Sequence, residues 1–165
     1  STGPLRAKKG HLYDGGIRVP GIIRWPGHTR PGSVSDQPIS GLDVLPTVCE
    51  VTGTKIPKSR HLDGTSFLPA LAARPIERTQ PLYWHFNVAS SRPKVALRDG
   101  DWKLLKYHHS DRVELFNLAE DISEANNLAT KQPQTTAALL GKLATWQTKV
   151  NAQMPTLNTQ FKQER

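Results

Sequence analysis

The chain has 165 residues, a formal charge of +8 and a pI near 9.9. That length suits one domain or a substantial piece of a larger one, and the charge favours an anionic partner: nucleic acid, a sulfated or phosphorylated sugar, or an acidic surface. A single cysteine, Cys49, excludes an internal disulfide and a cysteine-based zinc site, and the lack of any run of 18 apolar residues excludes a transmembrane helix.

Ser1–Lys9 is a polar lead-in with no Met at its start, so a leader could lie upstream. Gly15-Gly16 is a turn signal, since glycine accepts positive φ without a Cβ clash. Ile17–Trp25 reads as a short buried strand, interrupted by Pro20 and ended by Pro26-Gly27. Leu42–Thr52 reads as a helix with Leu42, Leu45, Val48 and Cys49 on one side and Gly53 as its stop; Pro46 fits if it lies in the first turn. A Pro/Gly/basic loop follows over Ile56–Gly64, then a short helix over Ser66–Ala73.

The character changes near Arg74–Gln80. Strand-like runs at Leu82–Phe86, Lys94–Arg98, Trp102–Tyr107 and Val113–Phe116 make a four-stranded antiparallel meander, with Asp99-Gly100 as a hairpin turn. Asp121–Glu124 has capping-box spacing. Pro133 opens a last helix to about Ala152, whose Leu139, Leu143, Trp146 and Val150 recur at helical spacing and should cover one sheet face. The expected organisation is therefore α/β. Residues 1–77 are the incomplete end of a larger α/β domain, because a lone strand needs sheet neighbours. Residues 78–155 are a self-contained sheet-and-helix subdomain, and residues 156–165 a tail.

The charge is uneven: residues 1–31 hold six Lys/Arg and one acid, Asp14. In Lys9-x-x-x-Tyr13-Asp14-Gly15-Gly16-x-Arg18, an ammonium held beside a tight turn is a good point charge for a sulfate or phosphate oxygen. On charge alone, Lys8 and Lys9 read as ordinary solvated lysines. Asp14 is expected to pair with a nearby Arg such as Arg18.

This segment resembles the sulfatase family, in which a Lys stands four residues before an aromatic-acid-Gly-Gly turn, followed by Arg, Pro and a strand ending in Trp-Pro-Gly. Four further stretches resemble that family in order: "SGLDVLPTVCEVTG", "LDGTSFLPAL", "ALRDGDWKLL" and "ELFNLAEDISEANNLA". The last has Ile122 where Pro is usual. The flavour is that of bacterial arylsulfatases and N-acetylgalactosamine-6-sulfatase-like enzymes. The resemblance implies the end of an alkaline-phosphatase-like α/β domain, then a small sheet-and-helix subdomain. It also implies hydrolysis of sulfate esters, on a sulfated carbohydrate or an aryl sulfate. The chemistry would use a formylglycine, made within Cys-x-Pro-Ser-Arg, next to a calcium ion. A periplasmic or secreted location is implied too.

Carried over by that resemblance, Lys9 is the lysine that contacts the sulfate group. His11, two residues on, is a substrate contact or an exposed loop histidine. His85, in "PLYWHF", is a substrate contact or a packed core residue. Cys49 lies in Cys-Glu-Val-Thr-Gly, so it is not the formylglycine precursor, and the calcium-binding aspartates have no counterpart here. The expectation is thus a C-terminal portion of a sulfatase, inactive alone, with calcium and formylglycine supplied by the rest of the same chain. Asp43 and Asp63 read as a helix cap and a turn. Adjacent His108-His109 point to opposite strand faces and cannot readily share a metal ion. The competing reading is a non-catalytic module that binds anionic polymers through its basic N-terminal third. A third is a structural piece whose open apolar faces are covered by a dimer of the fragment. Nothing resembles a nucleic-acid-binding signature.

Overall fold

A computed structural model describes residues 3–86, 95–108 and 110–156. The chain packs as two compact units: Ser1–Val19 with Pro81–Arg165, and Pro20–Gln80. The sequence places a boundary at 77/78, whereas the first nineteen residues cluster with the sheet. The expected tail beyond residue 156 and His109 lie outside the described residues.

The first unit is built on the expected meander: β1 (Leu82–His85), β2 (Val95–Asp99), β3 (Trp102–Lys106) and β4 (Val113–Asn117), antiparallel in the order β1-β2-β3-β4. Asp99 pairs with Trp102 across the Asp-Gly turn, and Gly100 takes φ 59°, which glycine adopts without strain. That turn sets the register, and the register sets the faces. Val95, Leu97, Leu104 and Leu115 point one way and meet Leu139 and Leu143 of α4 (Pro133–Lys149). Tyr83 and Trp146 stack on that face with ring centroids 4.5 Å apart. Val150, the last member of the predicted stripe, lies just past the helix and is 45% exposed.

Ala96, Leu105 and Phe116 point the other way, and on them lie Leu12 and Tyr13 from the N-terminal segment, with Ala7, Ile17 and Trp84 at the edge. Both faces are therefore covered, one by a helix and one by a loop. Where a strand was expected to begin, Asp14–Ile17 forms a single helical turn, α1, and residues 18–25 form no ladder. A strand is defined by a paired neighbour, and among the described residues none pairs with this stretch.

The second unit contains no strand among its described residues. Gly41–Asp43 is a 3₁₀ turn leading into α2 (Val44–Thr52), with Pro46 in the first turn as expected, and Leu68–Leu71 is a one-turn helix, α3. Gly53 ends α2 in the left-handed region, its N–H returning to the carbonyls of Cys49 and Glu50. The side of α2 that turns inward carries Thr47, whereas Leu42, Leu45 and Val48 are half or more exposed. No described helix is long and apolar enough to cross a membrane.

Candidate functional site

Lys9 sits at the second position of a tight turn. His11 N–H donates to the Lys8 carbonyl at 3.2 Å, and Gly10 takes φ 90° at the third position, where a type II turn needs glycine. Lys9 is exposed, and its ammonium makes no ion pair among the described residues. The turn rests on the glycine pair. A Cβ on Gly16 would stand 2.2 Å from the His11 carbonyl oxygen and 2.7 Å from that of Lys8, the two ends of the turn. A Cβ on Gly15 would stand 2.4 Å from the carbonyl oxygens of both Arg6 and Ala7. Neither glycine has positive φ. Close approach of backbone to backbone, not turn geometry, is what forbids a side chain here.

Beneath this loop lies a buried ion cluster. Lys103, on β3, is fully buried and donates from Nζ to Asp14 Oδ1 at 2.5 Å. Its Nζ also stands 2.7 Å from Glu124 Oε1, an ion pair lying off the hydrogen-bonding direction. Glu124 Oε2 in turn accepts from the Asp14 backbone N–H at 2.7 Å. Arg6 donates to the Glu124 carbonyl at 2.7 Å while its guanidinium lies 4.0 Å above the Tyr13 ring. Burial pushes the Glu124 carboxyl above its ordinary pKa, against the pull of Lys103 and of the Asp14 N–H. Arg18, the expected partner of Asp14, is 3.8 Å from Oδ2, so Lys103 is the closer one.

Next to it Tyr13 donates its hydroxyl to Glu114 Oε2 at 2.6 Å, and Arg112 donates to Glu114 Oε1 at 2.7 Å. Burial, then the bond to Glu114, raises the Tyr13 pKa far above the ordinary phenol value, so it stays a neutral donor. Lys103 and Glu114 were missed by the sequence reading, although a signal existed. The Asp-Gly hairpin places Lys103 on the same face as Leu105, and a charged residue on a covered face requires buried partners. Glu124 was read as a capping residue. In the structure it takes φ 52°, no helix starts there, and Asp121 accepts instead from the N–H groups of Ala125 and Asn126.

His11 is half-buried, its ring 6.4 Å from that of Tyr13. His85 lies on the α4 face, opposite the face that carries the Lys9 loop. Its Nε2 donates to the Gln153 carbonyl at 2.9 Å and its Nδ1 accepts from Gln147 Nε2 at 3.2 Å. The sheet thus separates His85 from Lys9 and His11. Trp84 packs half-buried against the Leu12 face.

The second unit has its own buried carboxylate. Asp43 is fully buried and accepts four hydrogen bonds: from Arg78 at 3.0 and 2.5 Å, from Thr65 N–H at 2.8 Å and from Ser40 N–H at 2.6 Å. Burial raises its pKa, but Arg78 and the two N–H groups outweigh it and hold the carboxyl below its ordinary value of 3.8. Asp43 is structural, as the sequence suggested. A Cβ on Gly64 would meet the Leu42 carbonyl oxygen at 2.0 Å, which explains the glycine of "LDGTSFLPAL". Among the described residues no cluster of three or more His, Cys, Asp or Glu side chains could hold a metal ion, and Cys49 lies half-buried within α2. The residues described do not fit a calcium centre.

The family described as "N-sulphoglucosamine sulphohydrolase, C-terminal" matches residues 7–151. A sulfatase of Formosa agariphila is 35% identical over 170 residues, covering 92% of this chain and 31% of that protein. A choline-sulfatase of Rhizobium meliloti is 37% identical over 123 residues, covering 73% of this chain and 23% of that protein. The crystal structure of Ps i-CgsB in complex with k-i-k-neocarrahexaose superposes with a TM-score of 0.78 at 31% identity, covering 94% of this chain and 35% of that one. The chain spans about a third or less of the length of these relatives. Their likeness carries the α/β, alkaline-phosphatase-like fold class expected from the sequence. Three of the resembling stretches meet in one place, since Asp14, Lys103 and Glu124 come from the first, fourth and fifth of them. The chain belongs to the sulfatase family and matches its C-terminal domain.

Proposed function

We propose that this chain serves a full-length sulfatase that hydrolyses sulfate esters, with Lys9 as the group that binds the sulfate. The observation that carries the reading is the Lys9 turn. An exposed ammonium stands on a backbone that Gly10, Gly15 and Gly16 hold in one shape, inside the region matched to the family. A lysine so held places a positive charge at a fixed point, which favours an anionic oxygen and the charge that grows on it as an ester bond breaks. Support for a sulfated carbohydrate over an aryl sulfate comes from the likeness to Ps i-CgsB, solved with k-i-k-neocarrahexaose. His11, on the same loop, is a candidate substrate contact. The hydrogen bonds that His85 makes to Gln147 and Gln153 favour a packing role for it.

In this reading the nucleophile, formylglycine, and the calcium ion belong to other parts of the same full-length protein. In the same reading the chain described here is inactive alone. The exposed apolar residues of the 3₁₀ turn and α2, Leu42, Leu45 and Val48, pack against that remaining part. A periplasmic or secreted location is part of the same proposal. The test is Lys9→Ala in the full-length enzyme, assayed on a sulfated oligosaccharide. The expected fall in kcat/KM is roughly 10²–10³-fold, the scale for losing one charge-stabilising group. Near-normal turnover would remove Lys9 from the site.

A further inference from the structure

We propose that the buried Lys103–Asp14–Glu124 cluster is the positioning device of the Lys9 loop. This rests on the reading of Lys9 given above and adds the residues that aim it. None of the three touches substrate; they act through the backbone.

The segment from Gly3 to Tyr13 has no regular secondary structure of its own. Its apolar anchors, Leu12 and Tyr13, hold it against the sheet, but apolar contact is tolerant of small slides and does not fix a register. The ion cluster does. Lys103 is fixed by the β-ladder on both sides, opposite Arg98 and Phe116. It grips the Asp14 side chain while Glu124 grips the Asp14 backbone N–H, so that residue is held at two points. The held residue begins α1, and the next two, Gly15 and Gly16, are those on which the Lys9 turn rests. Gly15 N–H also donates to the Arg6 carbonyl at 2.9 Å, and the Arg6 side chain returns to the Glu124 carbonyl. The path from Lys103 to Lys9 is thus Asp14, the glycine pair, and the backbone of residues 8–11. A lone buried ion pair is weak evidence for stability, since apolar replacements often do as well. Two buried carboxylates around one buried ammonium make sense as a fixed geometric reference.

The test uses the full-length enzyme with Glu124→Gln, which leaves the Lys103–Asp14 pair in place, alone and combined with Lys9→Ala. Two quantities are read: hydrogen exchange of amides in residues 6–17, and kcat/KM on a sulfated oligosaccharide. Exchange in that segment should quicken by about tenfold while β2 and β3 stay protected. In the Lys9 background kcat/KM should fall by about 10- to 100-fold, the scale of a small misplacement. In the Lys9→Ala background the same change should cost less than about twofold, because the loop then has no lysine to aim. A merely structural role gives equal losses in both backgrounds, and that result overturns the proposal. So does unchanged exchange in residues 6–17. If Lys9→Ala is itself neutral while exchange quickens, the anchor stands and the sulfate role of Lys9 falls. Arg6→Gln, which removes the outer clamp on Glu124 together with the guanidinium over the Tyr13 ring, gives a second reading should Glu124→Gln fail to fold.

Discussion

The two units bury their charges in opposite settings. In the first, Lys103, Asp14 and Glu124 lie beside a sheet covered on both faces, with Leu97, Leu104, Leu105 and Leu115 fully buried. In the second, Asp43 is fully buried while Ile22 is 93% and Val34 88% exposed. Apolar burial holds the first unit, and its ions specify where a loop lies. Hydrogen bonds to one carboxylate hold much of the second, joining Ser40, Thr65 and Arg78 from three stretches of chain. The same residue type supplies geometry in one unit and cohesion in the other.

The contrast breaks first at Asp43. Asp43→Ala strips Arg78 of its buried counter-charge and leaves the N–H groups of Ser40 and Thr65 without their acceptor. The expected loss is about 3–5 kcal/mol, confined to residues 20–80. Hydrogen exchange across α2 and residues 63–78 should rise, with β1–β4 unchanged; a loss spread over both units would deny that they are separately held. Acid should reproduce the split. Asp43 has its folded pKa below 3.8, so its contribution is complete above 3.8 and is lost as pH falls through the lower folded value. Glu124 has the opposite sign. Its folded pKa lies above 4.5, so its contribution falls as pH rises through 4.5 towards that folded value, and acid relieves it. Acidification below 3.8 should therefore open the second unit before the first. The fluorescence of Trp25, the second unit's one tryptophan, checks this in a variant with Trp84, Trp102 and Trp146 replaced by Phe.

Leu143→Ala comes next and sharpens the other half of the comparison. Leu143 is 1% exposed between α4 and the sheet, and truncating it removes apolar contact and leaves a cavity. A loss of about 2–5 kcal/mol is expected in the first unit, read by denaturant unfolding, with residues 20–80 unaffected. A loss under about 1 kcal/mol would mean that the helix can settle into the gap.

What could be read from the sequence follows the range of the interactions involved. The four strands, the Asp-Gly turn, α2 with its Gly53 stop and α4 depend on neighbours a few residues apart, and all are present. Lys9 stood out by its motif. Its supports did not, because Asp14 and Lys103 are 89 residues apart and no local pattern pairs them. The expected strand at Ile17–Trp25 failed for a related reason: a strand is defined by partners, and none among the described residues pairs with it. Glu124 misled because capping-box spacing is local, while its burial by Lys103 is not. The glycine pair was noticed for its conformational freedom, but it matters for the space it leaves.

The smallest effect should come from an ion pair that resembles the buried ones in distance alone. Lys142 of α4 donates to Asp99 Oδ2 at 2.5 Å, matching Lys103 to Asp14, yet the Lys142 side chain is 52% exposed and that of Asp99 35%. Water solvates both partners when they separate and salt screens them when they meet, so the pair gains little over its parts. Lys142→Ala should cost at most about 1 kcal/mol, and less at high salt. It should also leave the exchange of residues 6–17 untouched, because α4 lies on the other face of the sheet. Measured beside Glu124→Gln, it separates the strength of a charge pair from its burial: equal effects on the Lys9 loop would mean that distance, not desolvated placement, is what fixes it.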